Sequence, residues 1–130
     1  MSMDLLAARG AICLAADTAS LVDDAATRLM SAIAEANAIE PSALVFVLFS
    51  VTGDIRSKNP ATSARKAGWN VPLFCVREAE FDDSPPLVLR ALVAFRGGPG
   101  AEARHVYLDG AEKLRPDLFP GAADFADTSP

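Results

Sequence analysis

Residues Ala43 to Val51 read ALVFVLFSV, a nearly unbroken run of β-branched, aromatic and aliphatic side chains, and this run constrains the fold more than any other segment. It is too short to span a bilayer, which takes roughly 20 apolar residues. A run of this kind, without polar residues at every second position, is expected in a strand covered on both faces and so near the middle of a sheet. Other segments supply partners for it. Leu5 to Leu14 is apolar apart from Arg9-Gly10 and reads as a strand with an arginine near its middle. Val71 to Val76 is a short strand, Leu87 to Phe95 a longer one interrupted only by Arg90, and Val106 to Leu108 another short one.

Helices are expected between these strands. Leu21, Val22, Ala25, Leu29, Ile33 and Ala34 recur at helical spacing as far as about Asn37, behind Asp17 or Thr18 as N-cap. Asn59 before Pro60, with Gly68 beyond, marks a short helix over Pro60 to Ala67. Glu102 to His105 and Ala111 to Leu114 each have room for one helical turn, and Phe81 to Pro86 is an acidic loop. Arg96-Gly97-Gly98-Pro99-Gly100 lacks the Gly-Lys-Ser/Thr ending of a phosphate loop and reads as a turn. Residues 119 to 130, rich in Ala, Asp and Pro, are expected to form a mobile tail behind one domain over residues 1–118.

Composition excludes several classes of function. With 130 residues there is room for one ordinary domain. An apolar share of 51% with 22% charged residues is that of a folded globular chain rather than a disordered one. Twelve basic against seventeen acidic residues give a net charge of −5, and no Lys/Arg run is long enough to track phosphates, so nucleic acid is not an expected partner. Met1 to Arg9 lacks the layout of a secretory signal, and no segment has the length of a membrane span, so a cytoplasmic protein without a membrane partner is expected. Cys13 and Cys75 stand far apart without a CxxC or His companion, which suggests free thiols rather than a metal site or disulfide framework.

The chemistry begins with Arg90, held inside LVL-Arg-ALVAF. A guanidinium cannot shed its proton, and placing it unpaired against an apolar sheet costs several kcal/mol, so it needs an anion from the protein or from a ligand. Arg9 poses the same question in the first strand. Glu78, at the end of the short strand Val71 to Val76, is the evident internal carboxylate, and a structural Arg90–Glu78 ion pair would answer for one arginine. The second is left over, as positive charge suited to a small dianion.

The segments that raise this question resemble the AroH-type chorismate mutases. They are Arg9-Gly10-Ala11, the Asp17-Thr18 helix start, Val51-Thr52-x-Asp54, Pro60-Ala61-x-x-Ala64-Arg65, Gly68-Trp69 and Val71-Pro72-x-x-Cys75-x-x-Glu78. Leu89-Arg90, Arg104-His105-Val106-Tyr107-Leu108 and Leu114-Arg115-Pro116-Asp117-Leu118 follow in the same order and spacing, from about residue 5 to 118. The last two motifs are the most specific. The resemblance implies an α+β subunit, with a mixed β-sheet, one long helix and short helices, assembled as a homotrimeric pseudo-barrel with clefts between subunits. It also implies the rearrangement of chorismate to prephenate, which breaks an ether C–O bond as a C–C bond forms and needs no cofactor, metal or proton shuttle. On that pattern Arg90 donates to the ether oxygen and Glu78 accepts from the ring hydroxyl. Arg9 and Tyr107 hold a side-chain carboxylate, Cys75 packs by the ring, Arg115 closes over the cleft and Arg65 helps draw in the dianion. Read without the resemblance, Tyr107 and Cys75 are core residues, Arg115 is a surface arginine and His105 is structural.

Several positions depart from the family pattern, among them Phe74, which replaces a smaller polar residue, and Pro85-Pro86, which stiffens the approach to the Arg90 strand. Asn59 stands where an aromatic residue is usual, and Thr62 where a lysine is; Lys58 and Lys66 are nearby cations at non-matching positions. Two other functions fit part of the pattern: a non-catalytic small-molecule-binding or regulatory trimer of the same fold, and a trimeric imine deaminase that also uses a cleft arginine.

Overall fold

Thr18 caps the long helix, its Oγ1 accepting from the Leu21 N–H at 3.2 Å, and helix α1 runs from Ala19 to Ala36. Asp17 does something else: its carboxylate accepts from the backbone N–H groups of Arg56 and Ser57 at 3.0 and 3.1 Å. The computed structural model describes residues 3–119. Around α1 lie strands β1 (Asp4–Cys13), β2 (Leu44–Val51), β3 (Leu73–Arg77), β4 (Val88–Gly97) and β5 (Val106–Leu108), with a second helix, α2 (Pro60–Lys66), and 3₁₀ turns at Pro41–Ala43 and Ala111–Leu114. Asn59 starts α2 by accepting from the Ala61 N–H at 2.9 Å.

The strands form one mixed sheet in the order β3-β2-β4-β1-β5. Strands β2 and β3 run parallel, as do β1 and β5, and β4 is antiparallel to both of its neighbours. The middle strand is therefore β4, and β2 lies beside it, bonded on both edges, as an interior strand. Both helices cover one face. Val22, Ala25, Leu29, Met30 and Ile33 of α1, with Ala61 and Ala64 of α2, pack there on Val47, Phe49, Leu89, Ala91, Val93 and Phe95. At roughly 1.5–3 kcal/mol for each large apolar side chain buried, this layer is the main source of stability.

Gly10 makes the close approach of α1 possible, since a Cβ there would lie 2.7 Å from Ile33 Cδ1 and 3.0 Å from the Val106 carbonyl oxygen. On the other face of β2 and β3, Phe46 and Phe74 are exposed, Phe74 to 66%, so within the single chain β2 is covered on one face only. The expected turn at Glu102–His105 does not form. Its backbone bonds go elsewhere: the Arg104 N–H donates to Asn37 Oδ1 at 2.7 Å, and Asn37 Nδ2 donates to the Arg104 carbonyl at 2.9 Å. The glycine-rich stretch after β4 is a turn, closed by the Ala101 N–H on the Gly98 carbonyl at 3.0 Å. Of the expected tail, Phe119 packs edge-on against Tyr107 with ring centroids 5.6 Å apart, and residues 120–130 lie outside the described residues.

Candidate active site

Period-2 alternation along a strand decides which side chains meet. In β4, Leu89, Ala91, Val93 and Phe95 join the helix-side core, so Arg90 and Leu92 point to the open face. The register sets Arg90 between Ser50 of β2 and Ala11 of β1, Arg9 opposite Leu92, and Tyr107 of β5 beside Ala11. Arg9, Arg90, Tyr107 and Arg115 consequently line one cleft of about 340 Å³, together with Ser50 and Leu114. A second hollow of about 600 Å³ adjoins it, sharing Ser50, Arg90 and Leu114 and bringing in Glu78 and Lys113. The two make one trough along the open face.

The charges in this trough are only partly satisfied by the protein. Glu78 follows β3 directly, and its N–H donates to the Val51 carbonyl at 2.8 Å. Its Oε2 accepts from Arg90 Nη1, while Oε1 accepts from Ser50 Oγ at 3.3 Å. The ion pair weighed from the sequence is thus made, with the Arg90 and Glu78 side chains 34% and 24% exposed. It engages one edge of the guanidinium and leaves the other N–H donors of Arg90 to the cleft. Arg115 is held side-on by Asp117, with Nε donating to Oδ1 at 2.9 Å and Nη2 to Oδ2 at 2.7 Å, which moves the guanidinium pKa further up. Arg9 has no carboxylate partner among the described residues. Two oriented guanidiniums and one unpaired one converge on a space of small-molecule size, with a carboxylate beside them.

His105 is built into this site through its ring. Nδ1 accepts the Arg9 backbone N–H at 2.9 Å, which requires that nitrogen unprotonated. Burial first, then the positive charges of Arg9 and Arg115, hold its pKa below the ordinary 6.5. The imidazole anchors the strand segment that presents Arg9.

Two expected site residues are not brought into the trough of the same chain. Cys75 pairs in register with Phe49 and packs on the helix-side core; its Sγ lies 3.9 Å from the Val76 carbonyl, and burial pushes the thiol pKa up. The phase of β3 turns Cys75 from the trough of its own chain, because the side chains that alternate onto the open face are Phe74 and Val76. Arg65 is exposed on α2. Lys58, a candidate to replace the missing family lysine, has its Nζ 2.6 Å from Asp23 Oδ1, and the same oxygen accepts from Ser63 Oγ at 2.6 Å. This ties α1 to α2 and commits Lys58 to structure. Ser50 and Asp117 are the partners that reasoning from the sequence missed. Each left a trace, Ser50 as the lone hydroxyl in ALVFVLFSV and Asp117 as the carboxylate one proline beyond Arg115.

Comparison with known proteins shows the family. Residues 5–118 match the family model described as chorismate mutase type I. The chain is 41% identical over 113 residues to chorismate mutase AroH of Thermus thermophilus, covering 85% of this chain and 93% of that protein. To chorismate mutase AroH of Bacillus subtilis (strain 168) it is 32% identical over 113 residues, covering 85% and 89%. A solved chorismate mutase from Clostridium thermocellum superposes with a TM-score of 0.77 at 30% identity, covering 82% of this chain and 96% of that one.

Proposed function

Because the chain belongs to the chorismate mutase type I family, we propose that the trough on the open face of its sheet converts chorismate to prephenate. The observation that carries this reading is the convergence of Arg9, Arg90, Tyr107 and Arg115 on one cleft, with Glu78 bonded to Arg90. Chorismate is a compact dianion. Its rearrangement needs no covalent intermediate, so the chain's work is to hold the reactive conformer and to meet the charge that develops on the ether oxygen.

In this reading Arg90 donates to the ether oxygen. Its planar fork is pre-oriented by Glu78, so little reorganisation is left to the moment of reaction. Glu78 keeps lone pairs free to accept from the ring hydroxyl. Arg9 and Tyr107 hold a side-chain carboxylate, and Arg115, braced by Asp117, covers the cleft and excludes water. Arg65 adds its charge from an adjacent subunit of a homotrimer, since α2 presents it away from its own chain's trough. The exposed Phe46, Phe74 and Val76 on the open face support such an assembly, because exposed apolar patches of this kind mark contact surfaces. No helix among the described residues is long and apolar enough to cross a membrane, and a cytoplasmic location is part of the proposal.

The test is loss of chorismate absorbance with the purified protein, in which turnover well above the spontaneous rate is expected. Asn59, used here as a helix cap, and Thr62 favour one other reading, a trimer that binds the dianion without efficient turnover. Binding of chorismate with no rate above background would select it.

A further inference from the structure

In the motif Val51-Thr52-x-Asp54 the side chains of Thr52 and Asp54 do not line the trough, yet they converge on Leu87 and Val88, where the chain enters β4. Both oxygens of Asp54 accept the Leu87 N–H, at 3.1 and 3.0 Å, and the Leu87 carbonyl accepts from the Leu14 N–H at 2.8 Å. Between these two grips Leu87 has a φ of +54°, a left-handed conformation that glycine adopts freely and L-residues, asparagine and aspartate less than the others, avoid. Thr52, 6% exposed, completes the arrangement. Its Oγ1 accepts the Val88 N–H at 3.0 Å and donates to Asp54 Oδ1 at 2.5 Å, while its own N–H donates to the Val88 carbonyl at 3.1 Å.

This latch lies three residues from Arg90. A strand slipped by one residue turns every side chain to the opposite face, so the phase of β4 against β2 decides whether Arg90 meets Ser50 and Glu78 or is driven into the helix-side core. The apolar pattern of β4 specifies that phase weakly, because large apolar residues stand on both faces of the strand, Leu89 and Val93 on one and Val88 and Leu92 on the other. The bonds at its first residues add to that specification. The bond from the Glu78 N–H to the Val51 carbonyl anchors the ion-pair partner to the same end of β2.

We propose that Asp54 is a positioning residue for the reaction: by holding Leu87 in its left-handed conformation it sets the phase of β4 that presents Arg90 to Glu78 and the cleft. The kinetic part of this inference rests on the chorismate mutase reading; the structural part does not. Asp54→Ala, assayed well below its thermal midpoint, lowers kcat by ~10-fold or more with a smaller change in KM, since small displacements at a reacting centre are costly in rate. Adding Leu87→Gly to Asp54→Ala restores kcat to within about threefold of the unaltered chain, because glycine adopts the left-handed conformation without a grip. Hydrogen exchange at the amides of Leu89 to Leu92 follows the same order, faster in Asp54→Ala and slowed again in the double variant. If the unaltered chain does not turn over chorismate, the functional reading fails while exchange still decides the latch. Unchanged kcat and exchange in Asp54→Ala, or a double variant no better than the single one, overturns the inference.

Discussion

At Arg9 the proposed site depends on a guanidinium without a carboxylate partner among the described residues, and its loss should be read in binding more than in chemistry. Arg9→Ala is expected to raise KM by ~10-fold or more with a smaller change in kcat, as for an interaction made equally in ground and transition states. A fall in kcat without a change in KM would assign Arg9 to the reacting bond instead. His105 gives a dependence on pH whose sign follows from its lone-pair bond. Its folded pKa lies below its ordinary 6.5, so the unfolded chain binds the extra proton first. The stability it contributes is present in full above pH 6.5 and is lost as pH falls through the depressed folded value. Asp17, Asp23, Asp109 and Asp117, held below the ordinary 3.8 mainly by hydrogen bonds to their partners, add stability that is lost only on further acidification. Denaturant titrations between pH 7 and about 5 should show a decline that His105→Gln removes; an equal decline in that variant would place its cause elsewhere.

Elements were readable from the sequence where periodicity and capping agreed. Thr18 and Asn59 start their helices as their side chains suggest, and Leu5 to Leu14 and Leu87 to Phe95 become β1 and β4 to within a residue or two. The apolar run made β2 an interior strand, but that β4 is the middle one was not readable, because such a run reports burial and not which neighbour supplies it. Glu102 to His105 shows the same limit: Asn37, 67 residues away, takes the backbone groups that a local turn would have used. Of the residues that line the trough, Arg9, Arg90, Glu78, Tyr107 and Arg115 could be named from charge and motif, whereas Cys75 is turned from its own chain's trough by strand phase, which only the register reveals. At Gly10 the packing of α1 on β1 makes a prediction. Gly10→Ala forces Ile33 and the β1–β5 pairing to shift and should cost about 1–3 kcal/mol, the usual range for overpacking. Thermal unfolding of the two chains measures it, and an unchanged midpoint would show that Ile33 yields freely.

For the whole molecule, the uncovered apolar face and the separation of Arg65 from its own chain's trough both fit a trimer whose sites are shared. On the proposed trimer, the Arg9→Ala and Arg65→Ala chains should each be impaired. Chains co-refolded in equal amounts should regain activity, because about a quarter of the clefts then receive both arginines intact if subunits mix at random in a cyclic assembly. Activity no higher than the mean of the two parents would mean that each cleft belongs to one chain. The trough itself is tested most directly by kcat at saturating chorismate for Arg90→Lys against the unaltered chain. Lysine keeps the charge and loses the planar fork that Glu78 orients. Removal of that oriented donor predicts a kcat lower by ~10²-fold or more, which corresponds to about 2.7–4 kcal/mol of lost transition-state stabilisation; a kcat equal to that of the unaltered chain would contradict it.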